Sequence, residues 1–172
     1  NAMPRSNKIL CLGVDGMAPR LTKKYVDMGI MPNTKRYIEQ GAQREDLVML
    51  GGSPTVTPPM WTTLATGANS NVHCITGFSR HVPENPGELG YNIDSRLCKA
   101  EQIWNVTAEA GYKTLVWHWP GSAWPPSSDS ENLFVVDGTS PGSVGMSTAQ
   151  CEKDFLVVAD VETTEATFIR DA

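Results

Sequence analysis

The residues of this sequence best suited to chemistry are a carboxylate and an alcohol that lie far apart along the chain. Asp15 follows the apolar run KILCLGV, and Thr57 lies in the segment SPTVTPP, just before two prolines. A carboxylate at the end of a strand can bind a divalent cation, and a threonine hydroxyl becomes a nucleophile once a base or a metal activates it. Both residues also have simpler explanations, because Asp-Gly is a common turn and threonine is a common helix cap.

The segment around Thr57 predicts the start of a helix. We expect Thr57 to be the N-cap, Pro58 the first helical residue, and Gly67 the residue just past the end. Unpaired N–H groups and the helix dipole favour an anion at this end of a helix. The pattern therefore predicts a hydroxyl beside an anion-binding position, as a phosphoryl-transfer site requires.

Apolar runs alternate with helical patterns along the chain. Strands are predicted at residues 8–14, 47–50, 113–117, 133–136 and 155–158, and helices at residues 19–28, 32–40, 58–66 and 99–110. This order is typical of an α/β domain with a mostly parallel central sheet flanked by helices. Ligands bind at the carboxyl ends of strands in such sheets, so Asp15 and Thr57 could meet at one edge. Residues 79–98 carry several Pro and Gly residues and predict a surface excursion.

Composition and charge indicate a globular domain and argue against some kinds of binding partner. The chain has 172 residues, 40% of them hydrophobic and 19% charged, which fits a globular domain with a core. Its formal net charge of −5 argues against binding a nucleic-acid polymer. No apolar stretch is long enough to cross a membrane. The four cysteines form no CxxC pair, which favours free thiols and a cytoplasmic location.

Several motifs, taken together and in order, resemble the type I phosphodiesterase/nucleotide pyrophosphatase family of the alkaline phosphatase superfamily. The resemblance covers roughly residues 8–122, and the motifs are GVDGM, MPNTKRYIEQGA, SPTVTPPMWTTLATGANSNVHCITGF and KAEQIWNVTAEAGYKTLVWHWPG. Each motif alone is weak evidence, but their order and spacing are specific.

The resemblance implies an alkaline-phosphatase-like α/β fold and a site with two divalent metal ions, usually zinc. It implies that Asp15 is a metal ligand and that Thr57 is the catalytic nucleophile and also contacts the metals. The substrate would be a small phosphorylated molecule. His73 matches a family histidine and is expected to be structural, although Cys74 follows it where the family has glycine.

Two departures from the family pattern matter. Nucleotide pyrophosphatases have an asparagine, which holds a phosphoryl oxygen, at the position aligned with Phe78, so nucleotide diesters should not be assumed. Family members are also longer and take further metal ligands from later Asp-His and His motifs, whereas this sequence has no histidine after His118.

These departures lead to an expectation about domain organisation. Residues 1–2 are typical of a cloning remnant, and residues 3–172 are expected to be the N-terminal part of an alkaline-phosphatase-like domain, inactive alone. The open sheet edge of such a part would favour a homo-oligomer. Two alternatives stay open: a catalytically dead relative that binds an anion or a partner, and a member of a phosphomonoesterase or mutase branch.

Overall fold

The structure is a computed structural model that describes residues 8–44, 55–122 and 126–136. The chain forms two compact units, Asn1–Val48 and Met49–Ala172. The strands predicted at residues 47–50 and 155–158 lie outside the described residues. None of the described helices is both long and apolar enough to cross a membrane.

The first unit contains the two helices that the sequence predicts. Helix α1 spans Pro19–Asp27 and helix α2 spans Pro32–Gln40, and each has proline in its first turn. Proline is favoured there because its fixed φ suits the helix and its missing N–H would have no partner in that turn. Neither helix buries a residue.

The strand predicted at residues 8–14 is wrong for this structure. The run has no regular secondary structure, and its side chains are exposed: Ile9 is 88% exposed, Leu10 91% and Leu12 84%. A strand is defined by hydrogen bonds to a neighbouring strand, and none of the described strands pairs with this run. The apolar pattern therefore indicates that the segment is suited to burial in a sheet, but it does not determine whether a neighbouring strand pairs with it.

The second unit contains the remaining described elements. In chain order they are α3 (Thr57–Thr66), α4 (Ser70–His73), β1 (Ser79–Val82), β2 (Asn85–Tyr91), a 3₁₀ turn (Ser95–Leu97), α5 (Ile103–Glu109), β3 (Thr114–Trp117) and β4 (Leu133–Val136).

Strands β3 and β4 form the parallel pair that the sequence predicts. Thr114 lies opposite Leu133, and the register continues without a shift to Trp117 and Val136. Side chains from both strands pack with α3 and α5 in a buried cluster of Ala65, Trp104, Ala108, Val116, Leu133 and Val135. The α/β class is thus confirmed, and the parallel pair with its covering helices is consistent with part of an alkaline-phosphatase-like fold.

Residues 79–98 are more regular than the sequence suggests. They contain an antiparallel hairpin, in which Ser79 of β1 lies opposite Tyr91 of β2, with a bulge between His81 and Val82. No residue of β1 or β2 is buried, as a surface excursion requires, but Asn92, Ile93, Asp94 and Ser95 of the same range are buried, so the prediction is confirmed only for the hairpin. The sequence does not predict this hairpin, because backbone pairing stabilises it without an apolar face that would appear as a period in the sequence.

Helix α5 begins four residues later than predicted. Its N-cap is Gln102, which has extended backbone angles, and the preceding Lys99 N–H donates instead to the His73 carbonyl oxygen at 3.0 Å. The predicted stop is confirmed, since Gly111 follows the helix with φ +88° and donates to the Ala108 carbonyl oxygen. Residues 98–102 are thus non-helical, and a long-range bond holds them to the end of α4 before α5 begins.

Candidate active site

Thr57 is the first residue of helix α3, and Val56 is the N-cap. Val56 has extended backbone angles, and its carbonyl accepts the first helical bond, from the Met60 N–H at 3.3 Å. The prediction that Thr57 is the N-cap is therefore wrong by one residue. A threonine side chain at the N-cap normally accepts from the N–H of the second or third helical residue, and two prolines following it limit that choice.

The two prolines also change what the start of α3 can offer to an anion. The first four backbone nitrogens of a helix end, counted from the N-cap, have no helical acceptor; here they belong to Val56, Thr57, Pro58 and Pro59. Proline has no N–H, so both prolines can be buried without leaving a donor unsatisfied. Only Val56 and Thr57 retain an N–H, and a phosphoryl group at this end would need most of its charge neutralised by other groups.

Hydroxyl groups organise the inner side of α3. Thr62 Oγ1 donates to the Pro58 carbonyl oxygen at 2.7 Å, and Thr66 Oγ1 donates to the Thr62 carbonyl oxygen at 2.8 Å. Thr62 and Thr63 are both buried, at 6% and 7% exposure. Intrahelical bonds of this kind let a helix bury threonines without leaving unpaired hydroxyl groups.

The ring of His73 connects α4 to α3. His73 is fully buried, its Nδ1 accepts from the Ile75 N–H at 3.1 Å, and its Nε2 lies 3.0 Å from Thr63 Oγ1. Because Nδ1 is an acceptor, a neutral ring carries its proton on Nε2 and donates to the Thr63 hydroxyl. Burial lowers the pKa of His73 and outweighs the opposing effect of the Pro59 carbonyl. Both nitrogens are used, so the structural role expected for His73 is confirmed.

Contacts among three tryptophans connect α3 to α5. The Trp119 Nε1–H donates to the Trp61 carbonyl oxygen at 3.3 Å, and the two rings meet edge to face, with their centroids 4.8 Å apart. Trp119 also contacts Trp104 of α5, with a centroid distance of 5.8 Å. Sequence reasoning assigned Trp119 no role; the signal available was the high tryptophan content between residues 104 and 124.

Phe78 lies just before the hairpin and is 54% exposed. The buried side chain of Asn92 holds the backbone beside it: the Asn92 N–H donates to the Phe78 carbonyl oxygen at 2.9 Å, and Nδ2 donates to the Gly77 carbonyl oxygen at 3.0 Å. The phenyl ring has no group that could hydrogen-bond a phosphoryl oxygen. Phenylalanine at position 78, in place of the asparagine of nucleotide pyrophosphatases, therefore removes a hydrogen-bonding group.

Asp15 lies in a turn of the first unit and is exposed. Gly16 follows it with φ +66°, a left-handed angle that glycine adopts without steric cost. Asp15 and Thr57 belong to different units, and the prediction that they share one site remains a prediction. Across residues 8–44, 55–122 and 126–136, no three His, Cys, Asp or Glu side chains are grouped so that they could hold a metal ion.

Comparison with known proteins assigns the chain to a family. The family model described as type I phosphodiesterase/nucleotide pyrophosphatase matches residues 9–171. The chain belongs to this family, which is a family of hydrolases acting on phosphate esters. No solved structure matches the chain.

Proposed function

We propose that the chain provides the nucleophile of a metal-dependent phosphate-ester hydrolase of the phosphodiesterase/nucleotide pyrophosphatase type. Thr57 is the nucleophile, and Asp15 and Thr57 are ligands of two divalent metal ions, zinc being the first candidate. The observation that supports this proposal most is the position of Thr57 as the first residue of α3, in a chain that the family model matches over residues 9–171.

The surroundings of Thr57 suit a hydroxyl that must become negatively charged. The N-terminal end of a helix carries partial positive charge, which stabilises an anion in the first turn. The buried prolines at positions 58 and 59 fix where the helix begins, and the His73–Thr63 hydrogen bond holds the next turn. A rigid support of this kind keeps a nucleophile in place during the reaction.

The reaction follows from these roles. The Thr57 oxygen loses its proton to solvent and attacks phosphorus, the P–O bond to the leaving alcohol breaks, and the phosphoryl group, with the second ester of a diester substrate still attached, is held on Thr57 until water releases it. The metal ions would lower the pKa of the hydroxyl and neutralise the phosphoryl oxygens. Asp15 contributes a carboxylate oxygen, a donor that divalent ions accept.

The chain is proposed to carry only part of this site. Zinc sites normally use four ligands, and Asp15 with Thr57 provides two. The described residues contain no cluster of three ligand side chains. The sequence has no histidine after His118 that could complete the set. We therefore expect the remaining ligands to lie outside the 172-residue chain, and the chain to be inactive alone.

Replacement of Thr57 in a protein that includes the remaining ligands tests the proposal. With an aryl phosphodiester as substrate, Thr57→Ala should lower kcat by about 10⁴-fold or more, as loss of a covalent nucleophile does elsewhere. Thr57→Ser keeps the hydroxyl and should retain measurable turnover. Thr55→Ala, two residues earlier in the same segment, is the matched control and should remain active. Full activity of Thr57→Ala would remove Thr57 from the mechanism.

Zinc titration of the 172-residue chain tests the partial site. We expect weak binding, because two oxygen ligands leave half of a zinc coordination shell to water. Calorimetry of the chain, the Asp15→Asn variant and the Thr57→Ala variant would measure it. A nanomolar site in the chain that either substitution abolishes would contradict the proposal that ligands are missing.

Phe78 favours a second candidate function. Its exposed ring cannot replace the hydrogen-bonding asparagine of nucleotide pyrophosphatases, which suits a relative that binds an anion or a partner without turnover. A panel of phosphate monoesters and diesters separates the possibilities. Diester turnover supports the first proposal, monoester turnover supports a phosphomonoesterase or mutase branch, and binding without turnover supports the second candidate.

A further inference from the structure

Two cysteines of the second unit lie on either side of one backbone hydrogen bond. The Lys99 N–H donates to the His73 carbonyl oxygen at 3.0 Å. The acceptor belongs to the peptide unit that joins His73 to Cys74, and the donor belongs to the peptide unit that joins Cys98 to Lys99. The Cα atoms of both cysteines are therefore attached directly to the two bonded peptide groups. Covalent geometry on either side of this hydrogen bond keeps the two Cα atoms within about 8 Å of each other, and disulfides span about 4.4–6.8 Å.

The two thiols differ in exposure, and each makes a weak contact with a carbonyl oxygen. Cys74 is exposed and Cys98 is half-buried, and each sulfur contacts a carbonyl two residues away along the chain: Val72 at 3.6 Å and Ala100 at 3.3 Å. A thiol is a weak donor, so rotating either side chain loses little. Burial is the largest cause of the raised pKa of Cys98, and the neighbouring Cys74 adds to it.

The backbone at Cys74 is held firmly. Cys74 caps α4 in a left-handed conformation, φ +66°, and its N–H donates to the Ser70 carbonyl oxygen at 2.9 Å. Few residues other than glycine and asparagine adopt this conformation, so surrounding contacts must hold it. The preceding residue, His73, is fully buried and hydrogen-bonded through both ring nitrogens. The backbone position of Cys74 is thus set by the fold.

We propose that Cys74 and Cys98 form a thiol-oxidation site that closes to an intramolecular disulfide by exchange with a small-molecule disulfide such as oxidised glutathione. The exposed Cys74 thiolate attacks one glutathione sulfur, forms a mixed disulfide and releases the first glutathione thiolate. The Cys98 thiolate then attacks the Cys74 sulfur and releases the second. The two cysteine protons end on the two released glutathiones, and the two electrons lost by the protein thiols reduce the glutathione disulfide.

The proposed bond would join the two ends of the segment that carries the β1–β2 hairpin. It concerns the thiols of the chain alone and does not depend on the hydrolase activity. Failure of one proposal therefore leaves the other in place.

Peptide mapping of the native 172-residue chain tests the inference. The chain is equilibrated with reduced and oxidised glutathione, the remaining thiols are alkylated, and trypsin is added without reduction. Cleavage after Arg44, Arg80, Arg96 and Lys99 places Cys74 on residues 45–80 and Cys98 on residues 97–99, apart from the two other cysteines. We expect these two peptides joined, with the loss of two hydrogen atoms, at least about tenfold above any other cysteine pair, because proximity raises effective concentration.

Two controls separate a built site from random oxidation. The same treatment in guanidinium chloride should remove the preference, since the unfolded chain lacks the His73–Lys99 hydrogen bond. Cys98→Ser should leave Cys74 as a glutathione adduct, whereas Cys11→Ser should leave the Cys74–Cys98 link unchanged. The proposal is overturned if the native protein leaves both thiols unreacted, carries separate glutathione adducts on them, or pairs them with Cys11 or Cys151 as often as with each other.

Discussion

Helices α1 and α3 show how similar sequence signals can lead to different degrees of burial. Both have proline in the first turn, and glycine with positive φ follows both, at Gly29 and Gly67. Yet α1 buries no residue, whereas α3 buries five of its ten: Pro58, Pro59, Thr62, Thr63 and Ala65. Start and stop signals therefore set a helix locally, and burial depends on what other elements supply.

Two apolar runs of the sequence also differ in burial. The run at residues 8–14 has no strand partner among the described residues and is exposed, whereas the LFVV of β4 pairs with β3 and buries three of its four side chains. Hydrophobic burial contributes to stability only where the area is removed from water. We therefore expect mutations in the two units to differ sharply in cost.

The largest expected difference is between Trp104→Ala and Leu12→Ala. Trp104 is 5% exposed and packs in the core, so its loss should lower the free energy of unfolding by about 3–5 kcal/mol. Leu12 is 84% exposed, and its loss should change stability by less than about 0.5 kcal/mol. Denaturant unfolding measures both values. Comparable losses would show that residues 8–14 are buried in solution, and the contrast between the units would fail.

A smaller loss is expected for His73→Ala. The substitution leaves the Ile75 N–H and the Thr63 hydroxyl without their partner, and one buried unsatisfied group costs about 1–3 kcal/mol. The matched control is His81→Ala, an exposed residue of β1 whose loss should cost less than about 0.5 kcal/mol. Equal effects of the two substitutions would mean that the His73 ring does not hold α3 to α4.

The glycines after α1 and α3 provide a closely matched pair. A Cβ at Gly29 or at Gly67 would meet no atom within 4 Å, so alanine adds only backbone strain at positive φ, about 1–2 kcal/mol. Gly67→Ala should lower the free energy of the main unfolding transition by about that amount. Gly29→Ala should instead increase amide exchange in α1 and change the main transition less. A main transition equally sensitive to both would contradict the contrast between the two units.

The smallest effect concerns pH. Burial lowers the pKa of His73 in the folded protein from its usual 6.5, so the unfolded chain binds its proton more readily. Stability from the neutral ring is complete above about pH 6.5 and falls as pH drops toward the folded pKa. The stability difference between wild type and His73→Ala should therefore shrink between about pH 7 and pH 5. The loss caused by Trp104→Ala should stay constant, and a His73→Ala difference that grows in acid would reverse the assigned sign.

The sequence predicts much of this structure wherever the signal is local. Prolines and glycines place α1, α2 and the end of α3 almost to the residue, because each acts on its own backbone. The hairpin, the late start of α5 and the exposure of residues 8–14 depend on pairing between distant residues, which spacing alone does not encode. The Trp61–Trp119 contact and the His73–Thr63 hydrogen bond likewise depend on residues that local sequence patterns do not bring together.

The candidate site shows the same difference between features that local sequence predicts and features that depend on distant residues. Thr57 is recognisable from its prolines and from the family motif, and the structure shifts its helical position by a single residue. The fact that Pro58 and Pro59 remove two donors from the helix end could have been read from the sequence, since proline never has an N–H. The meeting of Asp15 with Thr57 requires long-range geometry and stays a prediction.

The central claim is that Thr57 carries the phosphoryl group during turnover. The direct measurement is to mix the metal-loaded protein that contains the remaining ligands with an aryl phosphodiester, quench in acid, and sequence the tryptic peptide of residues 45–80 by mass spectrometry. The proposal predicts a phosphoryl group on Thr57 that still carries the second ester of the substrate, and Thr57→Ala should eliminate this modification together with turnover. Turnover with the modification on another residue, or with none on Thr57 at any quench time, would contradict it.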